Sequence, residues 1–237
     1  MARLLGRRVV DLQPELPIIS FTFDDFPVSA LTGGGAILRQ YGAVGTYYAA
    51  VGLMERDSPV GRIFSPGHIE LLLAEGHEVG CHTFAHCHAW NTKPSIFEGS
   101  ILENRRALQQ LAPGAVFKTH SYPISCPRPG TKRRAGRYFF GCRAGGQTFN
   151  AGPTDLNNLS AFFLEKSRDK PEVIDAMIRR NAKAKGWLVF ATHDVCANPT
   201  PFGCTPVLFA RVVRWAVESR ARILPVGAAL ETMKTRN

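Results

Sequence analysis

Several features are scarce or absent in this sequence of 237 residues, and each absence excludes a class of protein. No apolar run approaches the roughly 20 residues that cross a bilayer, so we expect no integral membrane segment. The amino terminus has early positive charge but no sustained apolar region, which argues against a secretory signal and favours a cytoplasmic location. Neither an internal repeat nor a linker divides the chain, so residues 1–237 are predicted to form a single domain.

Acidic residues are also few: 19 Asp and Glu stand against 29 Lys and Arg, which gives a formal net charge of +10. Basic residues gather at 128–137 and again at 179–185. The second group falls in a predicted helix and is typical of a solvated face. The sequence has no nucleic-acid-binding motif and no aromatic residues interleaved with the basic ones, so no nucleic acid partner is expected. The charge favours an anionic substrate instead.

The six cysteines include no Cys-x-x-Cys pair, which argues against a zinc ribbon. We expect reduced thiols that serve packing, because free cysteine behaves as a small buried residue and the cytosol keeps thiols reduced. Cys81 and Cys87 flank two histidines, so metal ligation or redox control is a second interpretation. Cys196 and Cys204 share one loop and would be the pair to bond in an oxidising compartment.

Two short segments carry the chemistry. The apolar run Ile18–Phe23 predicts a buried strand, and it ends at the adjacent carboxylates Asp24 and Asp25. A second predicted strand, 78–82, ends at His82-Thr-Phe-Ala-His86, and on a helical turn this spacing would aim both imidazoles the same way. One carboxylate with two imidazoles suits zinc and leaves a position open for water. A zincin protease is disfavoured, because a threonine stands where His-Glu-x-x-His needs its glutamate.

These segments are similar to the first two motifs of the polysaccharide deacetylases, carbohydrate esterase family 4, which include the chitooligosaccharide deacetylases of nodulation. The resemblance implies that Asp24 is the general base. It also implies a divalent metal, most simply Zn²⁺, with Co²⁺, Ni²⁺ or Mn²⁺ as alternatives. The residues matched to its ligands are Asp25, His82 and His86. Near the end of the chain, the apolar run Trp187–Thr192 leads to His193, which is similar to the last motif and implies that His193 is the general acid.

The third motif of the family is usually Arg-x-Pro-Tyr-Gly, and its best match here is Ser121-Tyr122-Pro123-Ile124-Ser125. This match implies that Tyr122 and Pro123 contact substrate and that the backbone N–H of Ile124 helps to bind the oxyanion. The arginine that steadies the base is missing from its usual place.

Three further differences from the usual motifs of the family concern the same site. Arg143 ends a later predicted strand, so it either replaces the missing third-motif arginine beside Asp24 or forms a plain structural salt bridge. In the first case we also count it among the residues expected to bind substrate. The glycine that usually follows the Asp pair is Phe26 here. The fourth motif has no clear match, and Asp155 is the nearest acidic candidate.

The basic group at 128–137 follows the third motif and is predicted to be a loop at the mouth of the site. Lys132 and Arg133 are therefore expected to bind substrate, which would be an anionic or phosphate-bearing glycan. A helix is predicted from about Ser95 to Leu111, with a capping box formed by Ser95 and Glu98.

Strands and helices alternate along the chain, which predicts a parallel sheet, and the resemblance implies a distorted (β/α) barrel of about seven parallel strands with its core at about 18–230. The function implied is metal-dependent removal of an acetyl group from an N-acetylated sugar in a glycan or glycan precursor, in bacterial surface-polysaccharide metabolism. Two alternatives stay open: the same site acting on an O-acetyl ester or a non-sugar amide, and a carbohydrate-binding barrel without turnover. The sequence does not determine the oligomeric state.

Overall fold

The computed structural model describes residues 4–234, with the backbone alone for 233 and 234. A curled parallel sheet forms the centre of the fold, and helices flank it. The strands in chain order are β1 Val9–Leu12, β2 Ile18–Phe23, β3 Thr46–Ala49, β4 Asp57–Ser58, β5 Gly61–Arg62, β6 Glu78–Cys81, β7 Thr119–Ser121, β8 Gly141–Arg143, β9 Gly152–Asp155, β10 Phe162–Phe163, β11 Trp187–Thr192 and β12 Arg222–Ile223.

The helices surround this sheet. A π-helical segment at Ala30–Gly35 runs directly into the first α-helix, and a short 3₁₀ helix, Leu164–Ser167, follows β10. A further 3₁₀ turn covers Val51–Leu53. The α-helices are α1 Ala36–Gln40, α2 Pro66–Ala74, α3 Pro94–Leu111, α4 Pro129–Ala135, α5 Pro171–Ala184, α6 Pro206–Glu218 and α7 Val226–Lys234. Among residues 4–234, none of these helices combines the length and the apolar character needed to cross a membrane.

The strand order confirms the predicted barrel-like sheet. Seven parallel strands follow one another in the order β10-β11-β2-β3-β6-β7-β8, and β12 pairs with the start of β2. A parallel bridge joins Arg143 to Leu159, ahead of β10, and so draws the two outer edges of the sheet towards each other. Because all seven strands run in one direction, their carboxyl ends meet on one face, where barrel enzymes carry their active sites.

The two longest strands are those with the clearest sequence pattern. β2 and β11 are buried at every position and pair along their whole length, with Ile18 opposite Trp187. Their β-branched and aromatic residues suit strands covered on both faces. Phe21 stacks on Phe190 at 5.5 Å between ring centroids, so the middle of the sheet is aromatic.

Two local predictions are wrong. The basic segment expected as a loop contains helix α4, with Pro129 in its first turn. Helix α3, Pro94–Leu111, confirms the predicted helix, but its expected capping box is wrong: Lys93 is the N-cap residue, Ser95 lies inside the helix, and Glu98 contacts Arg134 and the Tyr138 hydroxyl, 2.8 Å away. The observed capping box is on helix α2, where Ser65 and His68 form it.

Candidate metal and catalytic site

Three side chains from two strand ends converge on one point. Asp25 follows β2, while His82 and His86 follow β6. The Nε2 atoms of His82 and His86 lie 3.3 and 3.0 Å from Asp25 Oδ1, and all three ligand atoms lie within 4.8 Å of one another. The histidines are brought together by a loop rather than by the expected helical turn, since Thr83 and His86 have φ values of 59° and 49°.

The donor pattern of this cluster fits a cation. His82 Nδ1 lies 2.9 Å from the carbonyl oxygen of Ser121, which can only accept, so Nδ1 carries the hydrogen. With its hydrogen on Nδ1, a neutral imidazole at this position would turn the Nε2 lone pair towards the Asp25 carboxylate, and Asp25 Oδ1 is buried without a hydrogen-bond partner among the described residues. Acceptors that face each other repel unless a positive charge lies between them. The orientation of His82 by a backbone carbonyl is also the usual second contact of a metal-binding imidazole.

The charges around Asp25 also favour a cation at this cluster. Burial by itself raises the pKa of the Asp25 carboxyl, but the interactions with the two nearby imidazoles outweigh it and lower the pKa far below its usual range. Burial lowers the pKa of His86, whereas the Asp25 carboxylate raises it, and the net shift is upward. The site therefore favours a negative carboxylate beside positive charge.

Asp24 lies one residue before Asp25 and makes contacts of its own. Its carboxylate is 5% exposed and meets the Arg143 guanidinium, while the Ser121 hydroxyl donates to Oδ1 at 3.1 Å. Burial raises the pKa of Asp24, but the Arg143 charge, aided by two nearby imidazoles, outweighs it and leaves the pKa below its usual range. Asp24 is thus held as a carboxylate, the form that can accept a proton.

Arg143 lies beside Asp24, as expected of a residue that replaces the missing third-motif arginine. It ends β8, is 2% exposed, and contacts both the Asp24 carboxylate and the Ser121 hydroxyl. Its Cζ atom lies 5.3 and 5.4 Å from the ring centroids of Tyr48 and Phe163. Ser121 stands where the third motif usually has arginine, so the guanidinium reaches Asp24 from the neighbouring strand instead.

Ile124 carries a strained backbone at the entrance of the site. Its φ is 67°, a left-handed value that is an outlier for a β-branched residue and costs about 1–3 kcal/mol. The side chain is 64% exposed, and the backbone N–H has no acceptor among the described residues. Strain held at this position keeps a free N–H donor at the cleft.

His193 follows β11 and completes the site. Its Nδ1 atom lies 3.2 Å from the carbonyl oxygen of Phe202 and donates to it, which leaves Nε2 as the nitrogen able to exchange a proton with a bound molecule. Asp194 supports the loop that supplies this carbonyl, because it accepts hydrogen bonds from the Thr200 N–H at 2.8 Å and from the Thr200 hydroxyl at 2.6 Å.

One cleft of about 590 Å³ joins all of these groups. Tyr122 also lines it, but the Tyr122 hydroxyl is turned away and donates to the carbonyl of Asn157 at 3.1 Å. Burial raises the pKa of Tyr122 well above its usual value, so this phenol takes no part as a base. Candidate catalytic and ligand residues that line the cleft are Asp24, Asp25, His82, His86, Ile124, Arg143 and His193.

Three expected substrate-binding residues do not line this cleft. Lys132 is fully buried on helix α4, with its Nζ atom 2.5 Å from Asp155, because the helix turns that side chain inward. Arg133 is exposed on the same helix but lies outside the cleft lining. Pro123 is buried, and its carbonyl accepts the N–H of Ala89 at 3.3 Å. The buried ion pair of Lys132 contradicts its expected role, whereas the substrate-binding roles of Arg133 and Pro123 stay predictions.

Asp155, the nearest candidate for the fourth motif, is also structural. It pairs with Lys132 and accepts the Arg8 N–H at 2.9 Å and the Asn157 N–H at 3.0 Å. These contacts tie β9, helix α4 and the segment before β1 together, and Asp155 is not among the residues that line the cleft.

Two residues at or beside the site have no role assigned from the sequence. Phe26 has a φ of 52°, which explains why glycine is usual after the Asp pair, and its buried ring stacks on Phe64 at 4.8 Å between ring centroids. Glu165 lines the cleft directly after β10, a strand of only two residues that no periodicity could reveal. The cysteines are free thiols, and Cys81, Cys142 and Cys204 are buried.

Comparison with known proteins decides the family. The polysaccharide deacetylase model matches residues 12–137, more than half of the chain. The chain belongs to the polysaccharide deacetylase family. The match covers the Asp pair, the two histidines of the candidate metal site and the third motif.

Individual relatives of this deacetylase-family chain differ in activity. A peptidoglycan-N-acetylglucosamine deacetylase of Bacillus cereus is 32% identical over 116 residues, which cover 43% of this chain and 51% of the relative, so the match spans about half of that protein's length. A family 4 acetyl xylan esterase from Clostridium thermocellum, solved with a cobalt ion, has a TM-score of 0.63 at 21% identity and 92% coverage of both chains. A family 4 pseudoenzyme from Bacillus anthracis has a TM-score of 0.62 at 10% identity, covering 92% of this chain and 66% of that one. The esterase and the pseudoenzyme both share the fold of this chain.

Proposed function

We propose that this chain is a metal-dependent hydrolase that removes the acetyl group from an N-acetylated sugar of a glycan. The observation that carries the proposal is the convergence of a carboxylate base, a three-residue ligand cluster, a free backbone N–H and a histidine in one cleft. Asp24, His82 and His193 come from the ends of three different strands, so chance proximity in sequence does not explain the arrangement.

Each protein group has a role that its contacts permit. Asp24 takes a proton from the attacking water, and the Arg143 guanidinium keeps it ionised and in place. The Ile124 N–H donates to the oxygen that becomes negative as the acetyl carbon turns tetrahedral. His193, held at Nδ1 by the Phe202 carbonyl, then gives a proton from Nε2 to the leaving nitrogen. The products are acetate and a free amino sugar.

Asp25, His82 and His86 would hold a divalent ion, for which zinc suits the mixed oxygen and nitrogen set best and Co²⁺, Ni²⁺ or Mn²⁺ are alternatives. When bound, such an ion supplies Lewis acidity towards the acetyl carbonyl and lowers the pKa of water.

The structure narrows the substrate that we propose. With Lys132 buried and Arg133 outside the cleft, support for a phosphate-bearing glycan is lost, and we propose a neutral N-acetylated sugar. A place in bacterial surface-glycan metabolism within the cytoplasm stays a prediction from the sequence.

An O-acetyl ester is the second candidate substrate, favoured by the similarity to an acetyl xylan esterase. The same base, N–H donor and metal ligands serve both reactions, because both pass through a tetrahedral oxyanion. They differ at the leaving atom, since an amine needs a proton from His193 more than an alcohol does.

Acetate release tests the proposal. Protein loaded with zinc or cobalt is incubated with tetra-N-acetyl-chitotetraose and with acetylated xylotetraose, and acetate is measured. We expect turnover on the N-acetyl substrate that a chelator abolishes. Asp24→Asn should retain the metal, measured by elemental analysis, yet lose turnover by about 10²-fold or more, the usual contribution of an acid or base.

Asp169→Asn, an exposed carboxylate outside the cleft, is the control and should behave as the parent. Turnover of the ester alone would assign the chain to esterases. Absence of turnover on both substrates with metal bound would identify a barrel without activity, like the pseudoenzyme.

A further inference from the structure

Glu165 is a carboxyl group in the cleft that the proposed mechanism does not use. It lies in the 3₁₀ helix Leu164–Ser167 that follows β10. Phe163 of β10 pairs in register with Ala191 of β11, so Glu165 and His193 each lie two residues beyond a paired position. Both side chains line the cleft on this side. Glu165 is therefore a neighbour of the proposed general acid.

One oxygen of the Glu165 carboxyl has no partner among the described residues. This oxygen, Oε2, is buried. Burial, aided by the Asp24 charge, raises the pKa of Glu165 to about 7, although the hydrogen bond from its own backbone N–H and the charges of His193 and Lys166 lower it. Cys204 is the other titratable group close enough to be affected by it.

An unsatisfied buried oxygen weakens a fold rather than supporting it, because its lost hydration is not replaced. The ion pairs elsewhere show the contrast: the side chains of Asp24 and Asp155 are only 7% and 11% exposed, and both meet a cation. Within residues 4–234 no cation forms an ion pair with Glu165, although Lys166 is the next residue. The Lys166 ammonium lies 5.0 Å from the Phe163 ring centroid instead. A structural role for the Glu165 carboxyl therefore lacks a partner.

We propose that Glu165 is a substrate-binding residue whose carboxyl oxygen accepts a hydrogen bond from a donor on the bound sugar. This inference rests on the proposed function. The donor is either the N–H of the acetamido group or a sugar hydroxyl. Its position beside His193 places the acceptor on the side of the leaving group, where the acetamido N–H of an amide substrate lies and where an ester has no hydrogen.

The test separates binding from folding and from proton transfer. Glu165→Met removes the acceptor at similar volume, Glu165→Gln keeps one acceptor oxygen, and Glu70→Gln on the exposed face of helix α2 is the control. We measure KM and kcat on tetra-N-acetyl-chitotetraose and acetylated xylotetraose, together with the melting temperature. Calorimetry of chitotetraose binding to the metal-free protein supplies a readout that needs no turnover.

We expect Glu165→Met to raise KM and the metal-free dissociation constant by about 10-fold, the worth of one hydrogen bond to a charged or polarised group. Its kcat should change little, Glu165→Gln should lose less, and the melting temperature should be unchanged or higher. A rise with the N-acetyl substrate alone assigns the acetamido N–H as donor, and a rise with both substrates assigns a hydroxyl.

Unchanged KM and unchanged binding in Glu165→Met would overturn the inference, and so would a lower melting temperature with unaltered affinity, which indicates a structural role. A loss confined to kcat would also overturn it, because it assigns Glu165 to His193 rather than to substrate. Failure of the proposed function is recognised separately, since then the parent protein itself releases no acetate.

Discussion

Two buried ion pairs lie in different parts of this molecule and illustrate how position determines role. Arg143 meets Asp24 at the carboxyl ends of β8 and β2, where the cleft opens. Lys132 meets Asp155 between helix α4 and β9, outside the cleft lining. All four side chains are buried or nearly so. The sequence places both cations at the mouth of the site, yet only the one that ends a parallel strand is there.

A cluster of basic residues in the sequence therefore does not show where a functional cation lies in the fold. A residue at the end of a parallel strand is carried to the shared edge of the sheet, whatever the loops do. A residue on a helix is placed by the face that the helix buries, which depends on its packing partners. Breaking each pair should therefore destabilise the fold similarly and affect catalysis very differently.

Arg143→Met should have the largest effect. It leaves the Asp24 carboxylate buried without its cation, which costs about 3–5 kcal/mol of unfolding free energy. It also frees the base from its position, so kcat should fall by about 10²-fold, the contribution of an aligned base. Arg143→Lys should recover part of the stability and less of the activity, because an ammonium cannot contact Asp24 and Ser121 in the planar manner of a guanidinium.

Urea unfolding and acetate release check this prediction together. Arg106→Met, at an exposed position of helix α3, is the matched control and should alter neither quantity. Near-normal kcat in Arg143→Met would show that Asp24 acts without a guanidinium, or that Asp24 is not the base.

Lys132→Met should be intermediate in effect. It removes one partner of a buried pair, so unfolding free energy should also fall by about 3–5 kcal/mol. Since Lys132 lies outside the cleft, KM and kcat should stay within about twofold at a temperature where the variant is folded. Lys132→Met with Asp155→Asn should be less unstable than the single change, although Asp155 also accepts two backbone N–H groups.

A rise in KM for Lys132→Met in fully folded protein would contradict this separation of stability from binding. Such a result would mean that helix α4 moves when substrate binds.

The same contrast explains how much the sequence could predict. β2 and β11 are recognisable because each is a mainly apolar run of six residues buried on both faces, and the acid and imidazole at their ends follow directly. Asp25, His82 and His86 needed only the strand ends and a short loop. The family resemblance added the distorted barrel, since periodicity alone indicates a parallel sheet without its closure.

The remaining contacts depend on tertiary structure. The sequence leaves open whether Arg143 replaces the third-motif arginine or forms a structural salt bridge, because its contact with Asp24 depends on β7 and β8 being neighbours. The left-handed φ of Ile124 is imposed by its surroundings and contradicts its own propensity. Glu98 was expected to cap its helix, but Arg134 and Tyr138 of distant sequence compete for it.

Arg133→Ala should have the smallest effect and tests whether helix α4 contributes to binding at all. Arg133 is exposed and outside the cleft, so we expect a change in unfolding free energy within about 0.5 kcal/mol and a KM change below about twofold. Lys166→Ala is the matched control, because Lys166 is an exposed cation that does line the cleft. KM is measured for a neutral and for an anionic N-acetylated sugar at low and high salt. If Arg133→Ala raised KM for the anionic sugar alone, and the loss shrank as salt screened charges beyond about 10 Å at 0.1 M, helix α4 would attract substrate from outside the cleft. If only Lys166→Ala shows that pattern, Lys166 attracts the anionic sugar from within the cleft. The basic residues of helix α4 then serve solvation and the buried ion pair of Lys132 with Asp155.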